Sequence, residues 1–195
     1  MEPEAAAPRA DKKSLRQEFI QARREFSKTH GSAVRDRLSE NMRRLIQDLT
    51  APQLQVGLYR PMSEEAAFDL QPSQQFFYPV LAGQSLKFYS PRGKWLNNVF
   101  GISEPDPKTS EAADPNKPML IFCPAVAVDH RGTRLGMGKG FYDRFFHDHP
   151  NALRVGVIYH IQLSKDPLPA DSWDQALDWI VSENLILRLQ PRSLQ

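Results

Sequence analysis

Two apolar runs decide what this chain can fold into. Leu120–Cys123 and Val155–Ile158 contain no charged or strongly polar side chain, so strands formed there need cover on both faces. That is the condition of a parallel sheet packed between helices. Further short β-like runs are predicted at Gln55–Tyr59, Phe76–Val80, Leu86–Ser90, Leu120–Val128, Arg154–Tyr159, Trp179–Ser182 and Leu185–Leu189. Together they predict an α/β fold: a single-domain, open, mainly parallel sheet with flanking helices. Sheets of this kind bind ligands beyond the carboxyl ends of their strands.

A glycine-rich stretch follows one of the central runs. Arg134–Arg144 reads RLGMGKGFYDR. The alternating Gly136, Gly138 and Gly140 permit positive φ and let successive main-chain N–H groups approach an anion. Arg134, Lys139 and Arg144 supply positive charge there, and a helix predicted over Gly140–His147 adds its N-terminal dipole. A phosphate cradle is expected, with Asp143 placed to hold a metal beside it. Spacing excludes two better-known alternatives. A Walker A loop needs glycine where Thr133 stands and Ser or Thr where Gly140 stands, and a dinucleotide fingerprint needs a small residue at Phe141.

Before the strands, Leu15, Phe19, Ala22 and Phe26 recur at helical spacing behind an N-cap at Asp11, and a second helix is predicted on Val34, Leu38, Met42, Ile46 and Leu49. Lys12 and Arg16 share one face of the first helix, which on an ordinary surface helix is a solvated basic stripe. Glu64 and Glu65 follow a strand end, where they either read a polar ligand or are solvated. Asp178 lies among apolar neighbours and needs an arginine or a metal as partner. Ser103–Pro118, rich in Pro, Asp and Ser, is expected as a long surface loop.

The chain has 195 residues, a formal charge of +2 and one cysteine. That length suits one domain, with 11–190 as its body, 1–10 as a disordered tail and 191–195 as a C-terminal tail. The weak positive charge gives no basis for a nucleic-acid partner, and no apolar run reaches the roughly 18 residues that span a bilayer. Cys123 sits in an apolar run and is expected as a buried small hydrophobe rather than a nucleophile. A monomer in the cytoplasm is expected.

With these residues assembled, the sequence resembles the 5-formyltetrahydrofolate cyclo-ligase family, also called 5,10-methenyltetrahydrofolate synthetases, from about Lys12 to Glu183. The strongest part is PAVAVDHRGTRLGMGKGFYDRFF at Pro124–Phe146. Lys12 and Arg16, LYRPMSEE at Leu58–Glu65, FGISEP at Phe100–Pro105 and WDQALDWIVSEN at Trp173–Asn184 support it. The resemblance implies a sheet similar to that of phosphosugar isomerases and CoA transferases. It also implies ATP- and magnesium-dependent cyclisation of 5-formyltetrahydrofolate to 5,10-methenyltetrahydrofolate through a phosphorylated formyl group, with release of ADP and phosphate. Carried over by position, Arg134, Lys139 and Asp143 would serve the chemistry. Lys12, Arg16, Arg134, Leu135, Gly136, Met137, Gly138, Lys139, Gly140, Phe141 and Tyr142 would hold ATP. Glu65 and Met137–Phe141 would meet the reduced folate, and Asp143 and Asp178 would hold Mg2+. The alternatives are a non-catalytic folate- or nucleotide-binding protein of the same fold, and another enzyme of this architecture such as a phosphosugar isomerase.

Overall fold

The computed structural model describes residues 11–189; the tails expected at 1–10 and 191–195, and residue 190, lie outside the described residues. The chain opens with helix α1 (Lys12–Asp48), 37 residues and so about 55 Å long. Asp11 caps it, its carboxylate accepting the main-chain N–H groups of Lys13 and Ser14. Strands β1 (Gln55–Gly57), β2 (Phe76–Ala82), β3 (Ser85–Tyr89), β4 (Trp95–Asn97), β5 (Ser103–Pro105), β6 (Met119–Pro124), β7 (Ala127–Asp129) and β8 (Arg134–Leu135) follow. Helix α2 (Phe141–Asp148) leads to β9 (Leu153–Val157), β10 (Leu163–Ser164), β11 (Trp179–Val181) and β12 (Ile186–Arg188).

The main sheet has seven strands in the order β12-β11-β9-β6-β1-β2-β3. Its interior pairings are parallel, and only the edge strands β3 and β12 run antiparallel to their neighbours. Alternation along the central strands explains the continuous apolar runs. Leu120 and Phe122 pack with Leu38, Met42 and Leu45 of α1, whereas Ile121 and Cys123 face Phe145 and Phe146 of α2 on the opposite side. Among the described residues no helix is long and apolar enough to cross a membrane.

Three expectations need correction. The two helices predicted before residue 50 are one, because Gly31 is not a break. It lets α1 pass close to Tyr159, whose hydroxyl would stand 3.0 Å from a Cβ at that position. The run Leu120–Val128 is two strands, and β7 leaves the main sheet to form a small second sheet in the order β10-β7-β8. Ser103–Pro118 is not wholly loop. Ser103–Pro105 pairs with Trp95–Asn97, and Glu111–Ala113 is tied to β3 by main-chain hydrogen bonds.

The turn between β7 and β8 fixes where the glycine-rich loop begins. Asp129, 2% exposed, accepts the N–H groups of Arg131 and Thr133 on one oxygen and that of Leu168 on the other, at 2.9 Å each. Gly132 completes the turn at φ 85°, and a Cβ there would lie 2.9 Å from the carbonyl oxygen of Leu177. Gly132→Val therefore combines a strained main chain with a backbone clash, and is expected to cost about 3 kcal/mol. Thermal unfolding checks this, with a large drop in Tm expected.

Candidate functional site

A cavity of about 920 Å³ opens beyond the strand ends, between the glycine-rich loop, the start of α1 and the β4–β5 ribbon. The loop is anchored at its front by Leu135, 2% exposed, which packs with Val126, Ala127 and Leu168 and with Leu15 and Phe19 of α1. Gly138 and Gly140 have φ of 86° and 66°. Gly140 is also the N-cap of α2 and offers no capping side chain, so the first-turn N–H groups of that helix are left for a ligand.

The charged residues predicted for this loop converge on it. Arg134 Nη2 donates to Asp143 Oδ1 at 2.7 Å, with the two side chains 5% and 18% exposed. The Arg134 guanidinium also lies 5.6 Å over the Tyr142 ring, and its buried Nε has no acceptor among the described residues. Burial pushes the Tyr142 hydroxyl well above its ordinary pKa, so it is a neutral part of the wall. Arg16 Nε donates to the Gly136 carbonyl at 2.8 Å, bridging α1 to a loop 120 residues away. Arg144 donates to the carbonyl of Lys139 at 2.5 Å and stands 5.7 Å over Phe141. The Lys139 side chain makes no such contact among the described residues and is exposed to the cavity.

Lys12 is also on the wall, with Nζ 2.6 Å from Asp171 Oδ2 and 2.5 Å from Asp174 Oδ2. Asp178, by contrast, is not on the wall. Its Oδ2 accepts the main-chain N–H of Arg154 at 2.8 Å, and its own main chain bonds to Arg154 and Leu189, so it joins β9 to the last strands. The wall carries Asp143 and Asp174, and Asp178 lies outside its lining. Asp174, four residues before Asp178, was not singled out in the sequence, because nothing local marks which of the two acids faces the cavity. Among the described residues no group of three His, Cys, Asp or Glu side chains converges. A phosphate-bound Mg2+ needs only one or two carboxylates, because phosphate oxygens and water complete its shell.

The paired glutamates divide. Glu64 turns outward to Arg24 at 2.6 Å. Glu65 turns inward and is 5% exposed, its Oε2 accepting the Met62 N–H at 3.0 Å and its Oε1 lying 4.0 Å from Arg23 Nη1. Desolvation raises the Glu65 pKa, against the lowering effects of the Met62 N–H and Arg23. Large apolar side chains at the opening are unusually exposed: Met62, Phe100, Met137 and Trp173 are between 39% and 68% accessible. Such an apolar rim around a concave site marks a place for ligand binding. Phe100 and Trp173 entered the sequence reading only as the ends of quoted stretches, since their place depends on distant ribbons and turns.

Cys123 is fully buried, burial pushes its thiol up to about 11, and its Sγ lies 3.4 Å from the Val155 carbonyl. It is not a nucleophile. Alkylating reagents are expected to leave the folded protein unmodified and to label it once in denaturant, as intact mass would show.

Comparison with known proteins places these features in company. A family model described as the 5-formyltetrahydrofolate cyclo-ligase family matches residues 8–183. A 5-formyltetrahydrofolate cyclo-ligase of Mycolicibacterium smegmatis is 30% identical over 190 residues, covering 90% of this chain and 95% of that protein. One from Haemophilus influenzae is 38% identical over 91 residues, a match that spans 46% of this chain and about half (48%) of that protein. The NMR structure of a 5,10-methenyltetrahydrofolate synthetase from Aquifex aeolicus superposes with a TM-score of 0.70 at 32% identity, over 94% of this chain and 96% of the other.

Proposed function

Because the chain belongs to the 5-formyltetrahydrofolate cyclo-ligase family, we propose that it closes the ring of 5-formyltetrahydrofolate to give 5,10-methenyltetrahydrofolate. ATP is consumed, and ADP and phosphate are released through a phosphorylated formyl group. The observation that carries this reading is that one cavity holds both an anion cradle and a buried carboxylate under an aromatic rim. Two ligands of different chemistry can therefore meet inside it. The sheet is further proposed as a variant of the one found in phosphosugar isomerases and CoA transferases.

The cradle suits nucleotide phosphates. A Cβ at Gly136 would stand 3.1 Å from Arg134 Nη1, so glycine there keeps the approach to the guanidinium open. The buried, acceptor-less Nε of Arg134 also fits an anion-binding role. Arg16 and Lys12 approach from α1, Asp143 and Asp178 are the carboxylates proposed to hold Mg2+ beside the phosphates, and Asp174 lies on the cavity wall paired with Lys12. ATP with Mg2+ supplies the transferable phosphoryl group that turns the formyl oxygen into a leaving group.

The protein's part is positioning and charge. Arg134 is held by Asp143 in one orientation, and Lys139 adds a mobile cation over the transferred group. Glu65 is placed to accept the N–H donors of the pterin, and Phe141 and Phe100, their ring centroids 6.3 Å apart, to flank a planar ligand. The closing attack comes from the substrate's own nitrogen on the formyl carbon, so no protein nucleophile is required. Cys123 supplies none. The enzyme is proposed to act as a cytoplasmic monomer on small molecules alone.

The test is near-ultraviolet absorbance of the purified protein with 5-formyltetrahydrofolate, Mg2+ and ATP. Growth of the methenyl chromophore that stops when ATP is omitted is expected. Binding of both ligands without that chromophore would instead establish a non-catalytic binding protein.

A further inference from the structure

Among the described residues six lysines and arginines line the cavity, and five are engaged with the glycine-rich loop or the carboxylates beside it. Lys12 is held by Asp171 and Asp174, and Arg134 by Asp143. Arg16 and Arg144 donate to the carbonyls of Gly136 and Lys139, and Lys139 belongs to the loop itself. The sixth, Arg60, lies just past β1 and makes no hydrogen bond or ion pair among the described residues.

Arg60 is nevertheless braced. Its guanidinium carbon stands 5.0 Å over the ring of Trp95 on β4. That indole is fixed in turn, donating Nε1–H to the Pro91 carbonyl at 3.1 Å and meeting the Tyr78 ring edge-on at 5.3 Å. A guanidinium stacked on an aromatic face keeps the N–H groups at its rim free for an acceptor in its own plane. The carboxylate on this part of the wall is not its partner. Glu104 Oε2 accepts the Asn98 amide at 2.9 Å and the Leu81 N–H at 3.3 Å, and lies beyond ion-pair distance of Arg60.

A preorganised cation without a counter-ion on a ligand cavity calls for an anion from the ligand. The phosphates have their own cradle. A reduced folate joins a pterin to an aminobenzoyl group and ends in glutamate, and only that last part is anionic. We propose that Arg60, supported by Trp95, is the anchor for the glutamate carboxylates of the folate, and so selects glutamate-bearing substrates over those without the tail. This rests on the folate reading given above. The apolar wall at Met62, Leu81 and Phe100 suits the uncharged middle of the same molecule.

The experiment is calorimetric titration of the full chain with 5-formyltetrahydrofolate and with 5-formyltetrahydropteroate, which lacks the glutamate, in the absence of ATP. The unmodified protein is expected to bind the glutamate form about tenfold more tightly, a charge-assisted contact at a partly exposed site. Arg60→Gln is expected to erase that difference by weakening only the glutamate form, and Arg60→Lys to recover part of it. Higher salt should narrow the gap in the unmodified protein alone. Equal affinities in the unmodified protein, or equal losses for both ligands in Arg60→Gln, would overturn the anchor while leaving the folate reading standing. Binding of neither ligand would overturn both.

Discussion

Replacing Lys139 with alanine is expected to lower ATP-dependent turnover about a hundredfold and to leave thermal stability unchanged. The two halves of this expectation come from one fact. The Lys139 side chain is exposed on the cavity and has no hydrogen-bond or ion-pair partner among the described residues, so its removal breaks no such contact there. What it removes is a cation flanked by Gly138 and Gly140, both with positive φ, at the tip of the cradle. Deleting one positioned donor from a charge-stabilising site typically costs 100- to 1000-fold in rate, or about 3 kcal/mol of barrier. Steady-state rates together with Tm test it, and Lys139→Arg should restore part of the rate because it restores charge. Normal turnover in Lys139→Ala would remove this residue from the phosphoryl chemistry.

Glu65→Gln is expected to weaken folate binding about a hundredfold while leaving ATP binding intact. A pterin presents adjacent N–H donors, and an ionised carboxylate accepts both; the amide replaces one acceptor with a donor and loses the charge. Burial raises the Glu65 pKa against the opposing effects of the Met62 N–H and Arg23. Folate affinity should therefore be full above that raised value and fall as the carboxyl is protonated below it. The acid limb should lie at higher pH than for an ordinary carboxylate. Stability responds in the opposite sense: a carboxyl whose folded-state pKa is raised favours the folded state at low pH, and that contribution is lost as pH rises through the folded value. Separate titrations with folate and with nucleotide, across pH, distinguish this from general damage to the fold.

The sheet and the position of the glycine-rich loop at its strand ends were legible in the sequence because each is written locally. Leu120–Cys123 and Val155–Ile158 announce strands covered on both faces, Asp11 announces a helix start, and the alternating glycines of Arg134–Arg144 announce a loop with positive φ, as found at Gly138 and Gly140. What was not legible depends on contacts between distant parts of the chain. The unbroken passage of α1 through Gly31 rests on Tyr159, 128 residues further on. The inward turn of Glu65 and the outward turn of Glu64 are decided by Arg23 and Arg24 on α1. Asp174 rather than Asp178 reaches the wall because Asp178 is taken up by the main chain of Arg154, a pairing set by the order of the sheet strands. Arg60 was visible only as part of LYRPMSEE; its role needs Trp95, whose ribbon is three residues long and falls below any periodic signal.

The central claim is that phosphoryl transfer and ring closure are coupled in one cavity. The most direct measurement follows phosphate release and methenyl absorbance together in single samples of the full chain with ATP, Mg2+ and 5-formyltetrahydrofolate. One phosphate released per methenyl product formed, with neither signal when either ligand is left out, is the predicted result. Phosphate release at the same rate without folate, or ring closure without ATP, would contradict it.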